Sequence, residues 1–293
     1  MDAAAGQTPP LYLSVCAIYR DEAHYLREWV EFHRLVGVER FYLYNNRSTD
    51  DHRRVLAPRI EDGTVVVTDW PLYPGQKAAY DHCLDLHRDE SRWIGFFDID
   101  EFLFSPTGRP LPDVLAGYEQ WPGIGVNRLR FGTSGHKVRP RGLVIENYVR
   151  RAPMSRYLVK SIVDPRRTSR CRTAHIFEYV DGVAVDENGS PLVHAPDAPP
   201  DIPPEQASFT EPFTAQRLRI NHYATRSEEE FRRKATRRKA DTGKPPIRPI
   251  PVDRVLRNFA REQDETILRY VPALREAMHD ALVPQGADSQ PAG

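Results

Sequence analysis

Apolar and polar positions follow two alternating periods over the N-terminal part of the chain. Short runs rich in β-branched and aromatic residues have the length and composition of buried strands. Longer segments that begin at Asp21 and at Gln76 instead place apolar residues on one face at helical spacing, and Gly37 is a suitable stop for the first of them. The predicted strands are 11–19, 40–44, 64–68 and 93–97, and the second predicted helix is Gln76–His87.

This order of strands and helices predicts crossover connections, because buried strands that alternate with helices are typical of parallel sheets. Residues 110–180 contain shorter apolar runs and turns, which favours a mixed or antiparallel extension. A further short strand is predicted at 218–223, and helices at 227–241 and 253–281. The predicted class is therefore α/β: a Rossmann-like, mostly parallel sheet with a mixed extension and C-terminal helices.

Proline content sets one segment apart from the rest of the chain. Residues 186–216 hold seven prolines and little apolar periodicity, which is typical of a long loop or a lid. We expect a catalytic domain at 10–225 that carries this loop, a helical extension at 226–283 and a disordered tail at 284–293.

Composition narrows the class of protein. The 293 residues suffice for one large domain with a sizeable core. The 41 basic and 41 acidic residues sum to zero charge, which argues against nucleic acid as a partner. The three cysteines are far apart and have no CxxC spacing, so neither a disulfide framework nor a thiolate zinc site is expected.

The segments that direct a protein to a membrane are also not evident. Residues 1–10 lack the basic and apolar regions of a secretory signal, and no run approaches the ~20 apolar residues of a membrane helix. We therefore expect a cytoplasmic location.

Polar side chains follow each predicted strand at the end where the chain leaves the sheet. The carboxyl ends of parallel strands share one edge, where ligands bind in open α/β sheets. Four polar strand ends on one edge favour a binding site over a set of solvated turns. The residues are Arg20, Asp21 and Glu22, then Asn45, Asn46 and Asp50, then Asp69, and finally Asp98, Asp100 and Glu101.

The pattern Asp98-Ile99-Asp100 is the most specific of these strand ends. In an extended segment the carboxylates of Asp98 and Asp100 would point to the same side, where they repel each other unless a cation lies between them. Oxygen ligands suit Mg²⁺ or Mn²⁺ bound together with substrate phosphates. The chain has neither GxGxxG after its first strand nor GxxxxGK[ST], so a diphosphate would need a divalent cation, basic side chains or helix ends instead.

Longer motifs contain these residues. They include CAIYRDEAHYLREWVEFHRLVGVERFYLYNNRSTDD, WIGFFDIDEFLF, FGTSGHKVRP, KSIVDP, AHIFEY and INHYATRSEEEF. Together they resemble glycosyltransferase family 92 and its bacterial relatives, which belong with the family 2-like enzymes. The resemblance spans about residues 11–240, although 186–216 matches no motif of the family.

The resemblance implies a GT-A fold, a nucleotide-diphosphate-sugar donor and a divalent metal, usually manganese. It places Asp98 beside the ribose or a metal-bound water, and it makes Asp100 a metal ligand. Such enzymes often take a further ligand from a late histidine, for which His222 is our choice. The metal set is thus Asp98, Asp100 and His222.

The donor-binding residues come from the same resemblance and from the strand ends. Lys160 joins them as a lysine within a predicted strand, where an anionic ligand and a purely structural role stay equally open. The expected set is Arg20, Asp21, Glu22, Asn45, Asn46, Asp50, Asp69, Gln76, Asp98 and Lys160.

A transferase that inverts configuration, as eukaryotic members of the family imply, needs a general base for the acceptor hydroxyl. The candidates are Glu101, His136 and His175. Glu101 adjoins the metal motif, but strand alternation from Asp100 would point it away. His136 lies in a loop with Gly132 and Gly135 that allows close approach to a ligand.

The expected reaction is metal-dependent transfer of a hexose to a hydroxyl of a glycan or lipid-linked acceptor. Basic residues between Arg226 and Lys239 are either a solvated helix face or a contact with an anionic ligand or the inner membrane leaflet. A binding protein on a GT-A scaffold, without turnover, is the alternative function. A nucleotidyltransferase is disfavoured because no glycine-rich, basic loop follows the first strand. No protein partner is predicted.

Overall fold

The fold is given by a computed structural model that describes residues 10–154, 158–193, 208–235, 243 and 252–280. Its strands are β1 Leu11–Tyr19, β2 Arg40–Asn45, β3 Val65–Asp69, β4 Ser91–Phe96, β5 Glu101–Phe104, β6 Gly123–Val126, β7 Arg128–Arg130, β8 Arg150–Arg151, β9 Lys160–Val163, β10 Thr168–Cys171, β11 Phe177–Tyr179, β12 Ala184–Val185, β13 Arg219–His222 and β14 Glu262–Gln263. Its helices are α1 Ala23–Leu35, α2 His52–Glu61, α3 Gln76–His87, α4 Leu111–Leu115, α5 Val144–Asn147, α6 Glu228–Ala235, α7 Val252–Asn258 and α8 Val271–Asp280.

The central sheet has seven strands in the order β12-β6-β9-β4-β1-β2-β3. Strands β4, β1, β2 and β3 are parallel neighbours, whereas β9 runs antiparallel to both β4 and β6. A smaller sheet has the order β5-β13-β7, with β13 antiparallel to β5 and parallel to β7. The α/β class with a mostly parallel sheet and a mixed extension is therefore confirmed.

Strand β1 shows how the sequence builds a core on both sheet faces. Its odd-numbered residues Leu13, Val15 and Ala17 are buried in a cluster with α1, while Cys16 belongs to a second cluster with α3. Successive side chains of a strand point to opposite faces, so one apolar run serves both layers. This covered sheet holds the strand ends in a fixed arrangement.

The predicted elements of the N-terminal half are largely confirmed. Strand β1 and helix α3 have the predicted bounds, and β2, β3 and β4 differ from theirs by one or two residues. Helix α2 was not predicted. Only His52 and Leu56 of this helix are buried, and Pro58 lies within it, so its sequence carries little apolar periodicity.

The C-terminal part departs from the prediction of one long helix at 253–281. Helices α7 and α8 are separated there by β14 and a short 3₁₀ turn. The interruption has a physical cause, since β14 pairs with β8 and the buried Asp264 accepts hydrogen bonds from Arg151 and Arg219. Helix α8 packs against α1.

Several other expectations fall partly on residues that the structure does not describe. The predicted helix at 227–241 is seen as α6, and its remainder lies outside the described residues. The same holds for 194–207 of the proline-rich segment and for the predicted tail at 284–293. The domain boundary near 225 stays a prediction. Among the described helices, none is both long enough and apolar enough to span a membrane.

Candidate active site

The predicted strand ends lie together at the carboxyl edge of β1, β2 and β3, where side chains tie the loops to one another. Asp21 Oδ1 accepts a hydrogen bond from the Thr49 amide at 2.8 Å, and Asp50 Oδ2 accepts one from the Ala23 amide at 2.8 Å. Asn45 Nδ2 donates to Asp69 Oδ1 at 2.9 Å. The loops after these strands are thus braced by the residues expected to bind the donor.

The remaining donor-site candidates divide between exposed and internal positions. The exposed Arg20 lies 3.6 Å from Asp21, and Asn46 Nδ2 donates to the Trp70 and Leu72 carbonyls. Asn46 is therefore engaged with the backbone of the loop after β3. Gln76, at the start of α3, reaches the end of β4 instead, because its Nε2 donates to Asp98 Oδ1 at 2.9 Å.

The two acids of the DxD motif contact different lysines. Strand β4 ends at Phe96, and the Glu101 amide then donates to the Asp98 carbonyl at 3.0 Å, so the motif forms a turn. Lys160 Nζ lies 3.0 Å from Asp98 Oδ2, whereas Lys234 Nζ contacts Asp100 Oδ2. The segment is thus a turn and not the extended strand from which both carboxylates were expected to point to one side, and the shared metal stays a prediction.

Glu101 lies below this turn and is completely buried. Its Oε1 accepts a hydrogen bond from Arg128 Nη1 at 2.8 Å, and its Oε2 lies 3.6 Å from Lys160 Nζ. Burial alone would raise the pKa of Glu101, but Lys160 and Arg128 outweigh it and hold that pKa below its usual value. A lowered pKa makes this carboxylate a weak base, and its burial keeps it from an acceptor at the surface, which argues against Glu101 in that role.

Asp100 and His222 are brought together by the pairing of β5 with β13. His222 lies opposite Glu101 in this pairing, and its Nε2 is 3.6 Å from Asp100 Oδ2. Burial alone would raise the pKa of Asp100, but Lys234 and His222 hold it far below its usual value. The Asp100 carboxylate is thus ionised and faces Lys234 and His222, which come from a part of the chain far away in sequence.

These contacts allow a test of the expected metal set. Asp100 and His222 supply a carboxylate and an imidazole, which are both donors that Mn²⁺ accepts. His222 Nε2 is the atom that faces Asp100, whereas the buried Nδ1 has no hydrogen-bond partner within the described part of the chain and lies 4.0 Å from Glu101 Oε1. Asp98 is held by Lys160 and Gln76, and the described residues contain no group of three His, Cys, Asp or Glu placed to hold a metal ion. Asp100 and His222 therefore fit a divalent cation, whereas Asp98 is placed as a neighbour of this pair.

The two histidines proposed as bases lie in different surroundings. His175 Nδ1 donates to the Val159 carbonyl at 2.9 Å, so the neutral ring carries a lone pair on Nε2. Burial first, and then the charges of Arg128 and Lys160, lower the pKa of His175 far below its usual value. His136 Nε2 instead contacts the Asn147 carbonyl at 3.2 Å, and its ring packs edge-on against Tyr148, away from the acids. His175 thus lies near Arg128 and Lys160 of the acid cluster, and the choice of base stays a prediction.

Three cations of this site were not among the predicted residues. Arg128 pairs with Glu101, Lys234 with Asp100, and Arg226 Nη1 with Glu22 Oε2 at 2.7 Å. The Arg226 guanidinium also lies 3.5 Å above the Tyr25 ring. The sequence shows the run of basic residues that begins at Arg226. Its spacing does not distinguish Arg226 and Lys234 from the basic residues that face solvent.

Comparison with known proteins gives the family. The family model "Glycosyltransferase family 92" matches residues 10–238. A glycosyltransferase family 92 protein of Oryza sativa subsp. japonica is 36% identical over 179 residues, which are 58% of this chain and 30% of that protein. The chain belongs to glycosyltransferase family 92, and the expected GT-A fold, with its mostly parallel sheet, is confirmed.

Two further relatives are named for the sugar that they transfer. A beta-1,4-galactosyltransferase of Caenorhabditis elegans is 25% identical over 177 residues, covering 54% of this chain and 41% of that protein. A galactan beta-1,4-galactosyltransferase of Arabidopsis thaliana is 29% identical over 106 residues, covering 33% of this chain and 20% of that protein. The chain spans less than half the length of each of these relatives. They come from plants and a nematode, so they give no support to the expected placement beside bacterial relatives.

Proposed function

We propose that the chain transfers a hexose, galactose in the first instance, from a nucleotide-diphosphate donor to a hydroxyl of a glycan acceptor. The observation that carries this proposal is the cluster of Asp98, Asp100 and His222 at the carboxyl edge of the sheet of a family 92 member. The names of two relatives as galactosyltransferases support the choice of sugar.

The donor nucleoside would lie against the braced loops after β1, β2 and β3. Asp21, Asn45 and Asp50 there offer acceptors and donors whose positions are fixed by hydrogen bonds to neighbouring loops. The diphosphate would extend towards Asp100, where Arg226 and Lys234 supply positive charge. Cations placed near the diphosphate stabilise the charge that develops on it as it leaves.

Asp100 and His222 are the residues that would hold a divalent cation, Mn²⁺ or Mg²⁺. Such an ion supplies charge that neutralises the diphosphate as the bond to the sugar breaks. Lys234 already places an ammonium on Asp100, and its flexible side chain can move to a phosphate when another cation takes that position. Lys160 orients Asp98 beside this pair through a contact of 3.0 Å.

We take His175 as the base for deprotonating the acceptor hydroxyl, because its Nε2 carries a lone pair. Its Nδ1–H is committed to the Val159 carbonyl, which leaves Nε2 as the atom that takes the proton. Inversion of configuration is part of this proposal, because it needs a base on the acceptor side. A glycan acceptor is our first choice and a lipid-linked one the second, with the reaction placed in the cytoplasm.

The test is a transfer assay with UDP-galactose and other nucleotide sugars, a β-1,4-galactooligosaccharide acceptor, and Mn²⁺ or EDTA. We expect release of nucleoside diphosphate with a product one hexose heavier, and a fall of about 100-fold for Asp100→Asn. The control is Asp85→Asn, which removes an exposed carboxylate of α3. Equal rates for the two variants, or no release from any donor, would contradict the proposal.

A further inference from the structure

A cavity of about 590 Å³ lies at the end of the β5–β13 pair that is remote from the acid cluster. In this antiparallel pair Glu101 lies opposite His222, and Phe104 lies opposite Arg219. Ser105 follows Phe104 directly, and Arg217 precedes Arg219 by two residues. Both line the cavity. A strand of this length separates the cavity from Asp100 by roughly 13 Å. The cavity is thus distinct from the proposed transfer site.

One wall of the cavity is held in place by a buried carboxylate. Glu187 is 3% exposed, and its Oε2 accepts hydrogen bonds from the Arg217 and Leu218 amides at 2.7 and 2.8 Å. Its backbone carbonyl accepts from the Tyr118 hydroxyl at 2.6 Å. These contacts fix the backbone from which the Arg217 side chain extends and join it to the turn that carries Tyr118.

The turn at 186–190, which also lines the cavity, is fixed in a similar way by the neighbouring acid. Asp186 Oδ1 accepts hydrogen bonds from the Asn188 and Ser190 amides at 2.8 and 2.9 Å. Gly189 between them has a φ of +81°, and a Cβ there would lie 2.9 Å from Trp121 Cη2. The turn therefore passes close to the indole, and the cavity is formed before any ligand enters.

The lining combines an aromatic surface with polar groups that match hydroxyls. Trp121 is partly exposed, Arg109 Nη2 donates to the Asp113 carbonyl at 3.0 Å, and Arg217 lies beside the Tyr118 hydroxyl. Asp113 and Asn188 add hydrogen-bond acceptors beside these donors. The guanidinium fork and the carboxylate each bind two neighbouring polar atoms at once, and the apolar face of a sugar ring packs on an indole. The volume is in the range of roughly 300–1,000 Å³ that is usual for ligand pockets.

We propose that this cavity binds a sugar unit of the acceptor glycan at a distance from the reacting hydroxyl. The proposal rests on the proposed function, since it takes the ligand to be the glycan that is extended. Binding of a non-reacting part of a substrate contributes affinity and orientation to transfer at the remote end. Lengthening of a chain, rather than modification of a single sugar, would use such a site.

The experiment is isothermal titration of the full chain with β-1,4-galactotetraose. We expect the dissociation constant to rise at least tenfold in Trp121→Ala and in Arg217→Ala, and to stay unchanged in Asp100→Asn. Arg217→Ala guards against a folding defect of Trp121→Ala, because the Arg217 side chain is exposed. Leu86→Ala, which removes another exposed side chain, is the matched control and should bind as the wild type does.

Two outcomes would overturn the inference. In the first, binding is unchanged in Trp121→Ala and Arg217→Ala but lost in Asp100→Asn, which would place the glycan at the transfer site alone. In the second, galactotetraose does not bind at millimolar concentration. Transfer of galactose in the assay above would then leave the proposed function standing, whereas its absence would remove both.

Discussion

Lys160 is the residue whose removal tests the electrostatics of the candidate site most sharply. Its side chain is fully buried, 3.0 Å from Asp98 Oδ2 and 3.6 Å from Glu101 Oε2. Lys160→Met keeps the length of the side chain and removes the ammonium. The carboxylates of Asp98 and Glu101 then lack one of the cations that balance their charge.

The magnitude follows from the distances. At an effective dielectric constant of about 20, each contact supplies an attraction of about 5 kcal/mol, before the cost of burying the ammonium. Asp98 is 36% exposed, so solvent screens its share, and Arg128 remains 2.8 Å from Glu101 Oε1. Loss of one partner from a buried ion pair costs ~3–5 kcal/mol, and we expect the lower end, about 3 kcal/mol.

The assay is urea unfolding followed by circular dichroism, which gives the free energy of unfolding of each variant. Lys137→Met is the matched control, because Lys137 forms an ion pair of 2.7 Å with Glu228 while 81% exposed. Its loss should cost at most about 1 kcal/mol. A cost for Lys160→Met as small as that of the control would refute this reasoning about the buried acids.

Two further predictions concern other groups of the chain. Lys234→Ala removes the ammonium from Asp100 and should tighten Mn²⁺ binding without nucleotide by about tenfold, measured by titration calorimetry; unchanged or weaker binding would argue against competition for that carboxylate. Burial lowers the pKa of His33 to about 4, so between pH 6.5 and 4 the unfolded chain takes up a proton that the folded chain does not. The free energy of unfolding should therefore fall by about 3 kcal/mol over that window in the wild type relative to His33→Gln, and equal pH slopes in urea unfolding would count against a neutral buried ring.

The sequence analysis predicted the part of the molecule that local pattern determines. The apolar run of β1 and the helical spacing of α3 gave their bounds, because burial on a sheet or helix face imposes a period on the sequence. The same pattern gave the polar strand ends, since the carboxyl ends of parallel strands must share an edge. Helix α2 was not predicted because only His52 and Leu56 of it are buried.

The charge pairing of the site could not be predicted in the same way. Lys234 meets Asp100 across 134 positions of sequence, and no local period records such a contact. The turn after Phe96 places Asp98 beside Lys160, although the spacing of Asp98 and Asp100 alone suggested a shared cation. The buried pair of Arg128 and Glu101 could not be predicted for the same reason. Their strands, β7 and β5, lie on either side of β13 and are far apart in sequence.

Donor binding at the carboxyl edge of the sheet is the central claim, and a thermal-shift panel tests it most directly. Wild type and Asp100→Asn are each heated with nucleoside diphosphates and nucleotide sugars, with and without Mn²⁺. A ligand that binds only the folded state stabilises it by about 2.7 kcal/mol at one hundred times its dissociation constant. We predict a shift in the wild type that needs both Mn²⁺ and one nucleotide and is lost in Asp100→Asn. No shift with any pair, or the same shift in both proteins, would contradict the claim.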